Sequence, residues 1–250
     1  MTIDLRRRRI YGILLDIEGT TTPVSYVRGV LFPFARVHLR GCIEARRDSR
    51  EMVQAVRELA TERAAETAGA KEPPAWRSAN LNETLASAAG YAEWLMDRSR
   101  SSPGLTRLQG LVWDQGYQAG ELRGQVFPDL PAALYRWRAA GTETSIYSAA
   151  SELAQRRLFE SVEDDDLTPF IARYFDTSVG AKTDAASYTA IAARFPLAPK
   201  ELLFLSDQTS ELTAARAAGL QVALSVRPGN HPQPDAGAYE AFESFEEIVG

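Results

Sequence analysis

The sequence predicts an α/β fold, a parallel sheet interrupted by one long all-helical insertion, and three observations carry that prediction. Short aliphatic runs break off in polar groups, directly at Asp16, Ser148 and Asp207 and through a loop at Lys182. Beyond Pro128 such runs alternate with apolar residues at helical spacing, the signature of strand-helix-strand units and hence of a parallel sheet. Between the first strand and that alternation, residues 24–123 show helical spacing throughout and no β-branched run.

The first strand is read over Ile10–Leu15, and the polar cluster Glu18, Gly19, Thr20, Thr21, Thr22 and Pro23 forms the loop after it. The helical block follows, with breaks at Gly69–Pro74 and Ser101–Gly104. A helix over Leu130–Ala140 stops at Gly141 and leads into a strand over Thr144–Tyr147 and a helix over Glu152–Phe159. Strands over Phe170–Phe175 and Leu202–Leu205 flank a helix over Asp184–Phe195. A helix over Glu211–Gly219, a strand over Gln221–Val226 and a helical tail complete the chain. The domains expected are an α/β core of residues 1–23 and 124–250, discontinuous in sequence, and a helical unit of residues 24–123.

Composition narrows the function. Of 250 residues, 28 are basic and 33 acidic, and only three are lysines (Lys71, Lys182, Lys200), so nucleic acid is not the expected partner. Arg6 to Arg9 read as a solvated N-terminal tail, since no apolar stretch follows that would make a secretory signal. The apolar runs are too short to span a bilayer, and one cysteine, Cys42, has no partner for a disulfide; a soluble, cytoplasmic protein is expected. Neither His38 nor His231 has a partner at metal-ligand spacing, which disfavours zinc and a Ser-His-Asp triad.

In a doubly wound sheet, ligands bind at the carboxyl ends of the strands near the reversal of strand order. A carboxylate just past a strand is often only a helix cap or turn former, but four polar strand ends agree here. Asp16 and Glu18, two residues apart, share one face of an extended segment. Together with Asp207 they would repel unless protonated or bridged by a cation, and an all-oxygen set of few protein ligands suits Mg²⁺. That points to phosphoryl chemistry, with Lys182 neutralising charge and Ser148 and loop amides donating to phosphate oxygens.

These residues resemble a known superfamily. Asp16-Ile17-Glu18-Gly19-Thr20-Thr21 is similar to the first motif of the haloacid dehalogenase (HAD) hydrolases, whose fold is a Rossmannoid parallel sheet with an inserted cap. Ser148, Lys182 and Asp207 fall at its second, third and fourth motifs. More narrowly, Glu18, Leu108-Gln109-Gly110, Trp113, Gly116-Tyr117, Gly120-Glu121-Leu122, Phe204-Leu205-Ser206-Asp207 and Glu211-Leu212 resemble the enolase-phosphatase E1 (acireductone synthase) family of methionine salvage. The resemblance runs from Ile13 to about Asn230.

What it implies is specific. Asp16 is the nucleophile that forms an aspartyl-phosphate, and Glu18 a general acid/base. Asp16, Glu18 (by carboxylate or backbone carbonyl) and Asp207 hold one Mg²⁺, and Ser148, Ala149 and Lys182 bind the phosphorylated substrate. The reaction implied is enolisation of 2,3-diketo-5-methylthiopentyl-1-phosphate followed by dephosphorylation to acireductone. The helical block is then a cap, for whose lining Tyr26, Phe32, Trp113 and Tyr117 are aromatic candidates, each weighed against a place in the cap's own core. The enzyme is expected to act as a monomer without nucleic acid or membrane. Glu211, one helical turn beyond Asp207, is read as a surface residue on a capped helix in preference to a partner of the metal-site residues. One departure stands out: where the family carries Tyr-Ser-Ser-Gly-Ser, this chain has Tyr147-Ser148-Ala149-Ala150-Ser151, so a hydroxyl is lost and Ala150 needs a backbone conformation a Cβ tolerates. The alternatives are a HAD phosphatase for another small phosphomonoester, a dehalogenase, and an inactive HAD-fold binding module.

Overall fold

The computed structural model describes residues 2–66, 72–162 and 165–250 and divides into two compact units, Met1–Gly29 with Arg123–Gly250, and Val30–Leu122. In chain order, the first unit opens with β1 (Ile3–Asp4), β2 (Gly12–Leu15), α1 (Val24–Tyr26) and the start of a π-helical turn (Val27–Leu31). The second unit holds α2 (Phe32–Ala45), α3 (Arg50–Ala65), α4 (Leu81–Met96) and α5 (Pro103–Gln118). The chain then returns to the first unit with α6 (Leu130–Ala139), β3 (Glu143–Tyr147), α7 (Glu152–Glu160), β4 (Ile171–Phe175) and α8 (Ala185–Ala192). It ends with β5 (Leu202–Ser206), α9 (Thr209–Ala217), β6 (Gln221–Ser225), β7 (Ala241–Phe242) and β8 (Ile248–Val249).

Six strands form one parallel sheet in the order β4-β3-β2-β5-β6-β7. Strand order reverses between β2 and β5, which lie side by side with Leu15 opposite Leu205. The central strands read Gly-Ile-Leu-Leu and Leu-Leu-Phe-Leu-Ser and are buried along their whole length, as strands covered on both faces must be. Tyr188, Phe204 and Leu212 pack on Leu14 to form part of the core on one face. Short connections follow the expected grammar: α6 ends at Gly141, whose φ of +79° lets Thr142 N–H reach back to Trp137 O at 2.9 Å.

In the helical unit, α5 packs on α3 and α2, and α4 packs on the same two helices. The expected break at Ser101–Gly104 is a helix start: Ser102 Oγ accepts from Leu105 N–H at 3.2 Å and Pro103 takes the first helical position. Gly104 is required by packing, since a Cβ there would lie 2.8 Å from the Leu59 backbone nitrogen. The break expected over Gly69–Pro74 falls partly outside the described residues. Trp113 and Tyr117 are buried in this unit, and the Trp113 indole donates to Leu31 O at 2.8 Å. Among the described residues, no helix is long and apolar enough to cross a membrane.

Three expectations need correction. Val24–Gly29 cluster with the α/β unit and not with the helices. The N-terminus is solvated at Arg6, Arg7 and Arg9 but is not a free tail: Ile3–Asp4 pair in parallel with Ile248–Val249, and Arg8 makes a two-pronged bond to Glu240 at 2.6 and 2.7 Å. The chain closes not in a helix but in short strands and 3₁₀ turns, because Phe242, Phe245 and Ile248 are all buried and Ser244 and Glu247 tie a single tight turn between them.

That ending is anchored by a buried ion pair. Arg227 donates to Asp129 Oδ2 at 2.9 Å and to Glu243 O at 2.6 Å, with its guanidinium 4.7 Å from the Phe127 ring centre and 4.5 Å from that of Phe245. Asp129 precedes α6 but does not cap it, because its carboxylate also accepts from Ser244 Oγ and Phe245 N–H. Burial alone would raise the Asp129 pKa, but the bonds from Arg227, Phe245 and Ser244 outweigh it and hold the carboxyl below its ordinary value. A depressed pKa contributes stability above the unfolded value near 3.9 that is lost as pH falls through the folded one. Asp129→Ala is therefore expected to lower unfolding free energy by about 3 kcal/mol at pH 7, since it strands a buried guanidinium. In urea titrations the gap should narrow below pH 4.

Candidate active site

Four strand ends converge. Asp16 follows β2, Ser148 follows β3, Lys182 lies in the loop after β4, and Asp207 follows β5. Asp16 and Asp207 thus sit on the two neighbouring strands that straddle the reversal of order, and Asp16 N–H is bonded to Leu205 O at 3.0 Å. All four side chains are buried or nearly so: Asp16 and Asp207 are each 4% exposed and Ser148 7%, and the Lys182 side chain 9%.

The loop after β2 is a tight fold-back in which Thr20, Thr21 and Thr22 N–H all donate to Ile17 O and Gly19 N–H donates to Thr22 O. Gly19 has φ +73°, and a Cβ on it would stand 2.6 Å from Asp207 Oδ2, so only glycine lets the two motifs approach. Ser225 Oγ and Asn230 Nδ2 both donate to Gly19 O, at 3.0 and 2.9 Å, and hold the loop from the β6 side.

Lys182 donates to Asp16 Oδ1 and, at 2.8 Å, to Glu211 Oε2. Its backbone is fixed from below, Tyr188 OH donating to Lys182 O at 2.8 Å. Glu211 is not the surface residue the sequence suggested: its position four residues after Asp207 puts it on the first turn of α9, facing inward, where Ser206 Oγ also donates to it at 2.8 Å. The spacing was a usable signal, but with no knowledge of which face of α9 is buried it could not be told from a cap.

Three buried carboxylates, Asp16, Asp207 and Glu211, face one ammonium. Burial pushes the Asp16 pKa up to about 8 against the pull of Lys182, with Glu211 and Asp207 adding to the rise. Burial likewise pushes Asp207 up to about 6. Lys182 is held protonated: desolvation would lower its pKa, but the charges of Asp16 and Glu211 raise it above the ordinary value. Fully ionised, the three carboxylates exceed the one ammonium by two negative charges, a surplus that protons meet while the pKa values are raised and that a divalent cation would remove. The cluster's oxygen-only donors suit a hard ion such as Mg²⁺, which needs one or two carboxylates and keeps its waters.

Glu18 does not join that pair. Its carboxylate accepts from Arg28 Nε at 2.7 Å, on the π-helical turn, and among the described residues no three Asp, Glu, His or Cys are grouped to hold a metal. Of the two Glu18 groups expected to reach a metal, the carboxylate is paired with Arg28, and the buried carboxylates at the switch point are Asp16 and Asp207. Arg28 went unnoticed in the sequence, where nothing separates it from other helical arginines.

The altered second motif is accommodated. Among the described residues only Arg9 and Ser99 combine a side chain with positive φ, so Ala150 is unstrained. Ser148 Oγ accepts from Ala150 N–H at 3.2 Å, and the buried Gln155 donates to Ala150 O and Phe175 O, fixing the loop. Ala149 is exposed where a hydroxyl would stand.

A family model described as haloacid dehalogenase-like hydrolase matches residues 10–219. Enolase-phosphatase E1 of Synechococcus elongatus is 45% identical over 239 residues, spanning 96% of this chain and 98% of its own. The chain belongs to the enolase-phosphatase E1 family of haloacid dehalogenase-like hydrolases. Another member of that family, from Drosophila pseudoobscura pseudoobscura, is 40% identical over 230 residues, covering 91% of this chain and 89% of its own. Among solved structures, the UTR4 protein of Saccharomyces cerevisiae superposes with a TM-score of 0.72 at 32% identity, covering 95% of this chain and 99% of that one.

A family enzyme whose site holds surplus negative charge trades stability for function. A carboxyl with a raised pKa binds a proton more tightly folded than unfolded, so it costs stability as pH rises from the unfolded value through the folded one. Metal-free Asp207→Asn is expected to be more stable than wild type at pH 8, by about 2 kcal/mol, and no more stable at pH 4. Thermal unfolding in EDTA at the two pH values measures it.

Proposed function

We propose that this chain is an enolase-phosphatase that converts 2,3-diketo-5-methylthiopentyl-1-phosphate to acireductone and phosphate in methionine salvage. The observation that carries the reading is the buried Asp16 carboxylate, poised at the switch point with Lys182 on one oxygen and Glu18 two residues away, in a chain of this family. A base first takes a proton from the carbon that bears the phosphate, and the neighbouring carbonyl oxygen gains one, giving the enol phosphate. Asp16 then attacks phosphorus in line, the ester oxygen departs with the bonding pair and takes up a proton, and water hydrolyses the aspartyl-phosphate, returning Asp16. Lys182 faces the charge that builds on the phosphoryl oxygens, and Ser148 and the Ala149 N–H are the donors assigned to them.

Glu18 is assigned proton transfer to the leaving oxygen and from the attacking water. It must first release Arg28, and an exposed pair of this kind holds at most about 1 kcal/mol, so the exchange is cheap. Asp16 and Asp207 are assigned one Mg²⁺, with the Glu18 backbone carbonyl as the remaining candidate on that loop. When bound, the ion supplies a Lewis acid for the phosphoryl and carbonyl oxygens. The helical unit Val30–Leu122 is assigned the role of cap, and the protein that of a monomer working in the cytoplasm on a small phosphorylated substrate.

The exposed Ala149 favours one competing reading, a phosphatase for a different phosphomonoester. Phosphate release from the diketone phosphate, beside a panel of common phosphomonoesters and with or without Mg²⁺, decides between them. Mg²⁺-dependent turnover of the diketone is expected; turnover of another ester alone would overturn the proposal. Asp16→Asn should lose activity by at least about 10³-fold with its fold intact by circular dichroism.

A further inference from the structure

Asn230 lies beyond β6, on the loop Arg227–Asn230, and the orientation of its amide is fixed by its partners. Nδ2 donates to Gly19 O at 2.9 Å and to Ser225 O at 3.1 Å. Carbonyl oxygens only accept, so the nitrogen must face them and Oδ1 must face away. Oδ1 is buried, and among the described residues it has no hydrogen-bond partner.

Where Oδ1 points follows from Gly19. A Cβ built on that residue would lie 2.6 Å from Asp207 Oδ2 and 2.9 Å from Asn230 Oδ1, so the two oxygens border the same small space. Asp207 Oδ2 takes one hydrogen bond, from Gln208 Nε2 at 2.9 Å, and Asn230 Oδ1 takes none. Two buried acceptors side by side call for a donor, since an acceptor removed from water loses the bond it would make there. Pinning the loop through Gly19 O explains the nitrogen of this amide and leaves its oxygen unexplained.

We propose that Asn230 Oδ1 is an acceptor for the cation site, taking a hydrogen bond from a water carried by the ion that Asp16 and Asp207 hold. The inference rests on the Mg²⁺ assignment above and adds a residue of a further loop to it. Asn230 is a positioning residue: it fixes a water, hence the orientation of the ion's shell, and at the same time fastens the Asp16 loop through Gly19. Partners of this kind govern metal affinity.

The test uses the full chain stripped of metal with EDTA. Mg²⁺ affinity is measured by calorimetry, Mn²⁺ affinity by electron paramagnetic resonance, and exchange of Mn²⁺-bound water by oxygen-17 relaxation. Asn230→Ala is expected to weaken both ions about 10-fold or more and to speed exchange of the bound water. Asn230→Asp keeps an oxygen at the Oδ1 position while losing both donors, and is expected to bind at least as tightly as wild type. The proposal is overturned if Asn230→Ala binds within about two-fold of wild type, if its bound water exchanges at the wild-type rate, or if the two variants weaken alike. Should Asn230→Ala not fold, Asn230→Asp decides alone: exchange of the bound water faster than in wild type overturns the proposal. A wild-type chain that binds neither ion overturns the Mg²⁺ assignment itself, and this inference with it.

Discussion

The contact on which the rest of the site depends is the buried pairing of Lys182 with Asp16 and Glu211. The ends of β2 and β4 and the first turn of α9 must close together for those groups to meet largely out of contact with solvent. Taking one ammonium and three carboxylates out of solvent is costly, and a single cation cannot compensate for all of them. The apolar core beneath, built on Phe204, Tyr188 and Leu212, supplies the stability against which that cost is set. What the cluster gains is preorganisation. An ammonium already desolvated and already aimed at the nucleophile needs no reorientation when charge appears on a transferring group.

The same constraint explains local choices in the sequence. Gly19 is forced by the approach of Asp207, and Ser206, at the end of a fully buried strand, spends its hydroxyl on Glu211 so that this carboxylate stays turned toward Lys182. Tyr188 fixes the Lys182 backbone from α8, and Tyr147 donates to Gly180 O at 3.0 Å in the same loop. A long, mobile side chain is thereby made a rigid part of the site, because the loop that carries it is fastened at both ends of its turn.

How far the fold was legible follows from how each element is stabilised. β2, β3, β5 and β6 are buried runs bounded by polar residues, and that pattern is local, so their limits read within a residue or two. Asp16, Ser148 and Asp207 were legible because each directly follows such a run, and Lys182 because it lies in the loop after β4. β1 and β8 were not: two residues each, they exist only through pairing between opposite ends of the chain, which no window of sequence contains. The apolar spacing of Phe242, Phe245 and Ile248 suits a helix equally well, and only Ser244 and Glu247 select the 3₁₀ turn. At the site, the roles of Glu211, Arg28 and Asn230 were not legible for one reason: each depends on which way a helix or loop faces, a property of tertiary packing.

The loop after β6 links the chain's C-terminal closure to the site. Arg227 is locked to Asp129 and stacked among phenylalanines, far more tightly than a surface turn requires. Three residues later Asn230 reaches Gly19 and, through it, the nucleophile loop. A tether only three residues long transmits little slack, so the anchor at Arg227 limits how far Asn230 can move. The ion pair at the chain's C-terminal closure thus stands three residues from the amide that fastens the Asp16 loop, and one short segment makes both contacts.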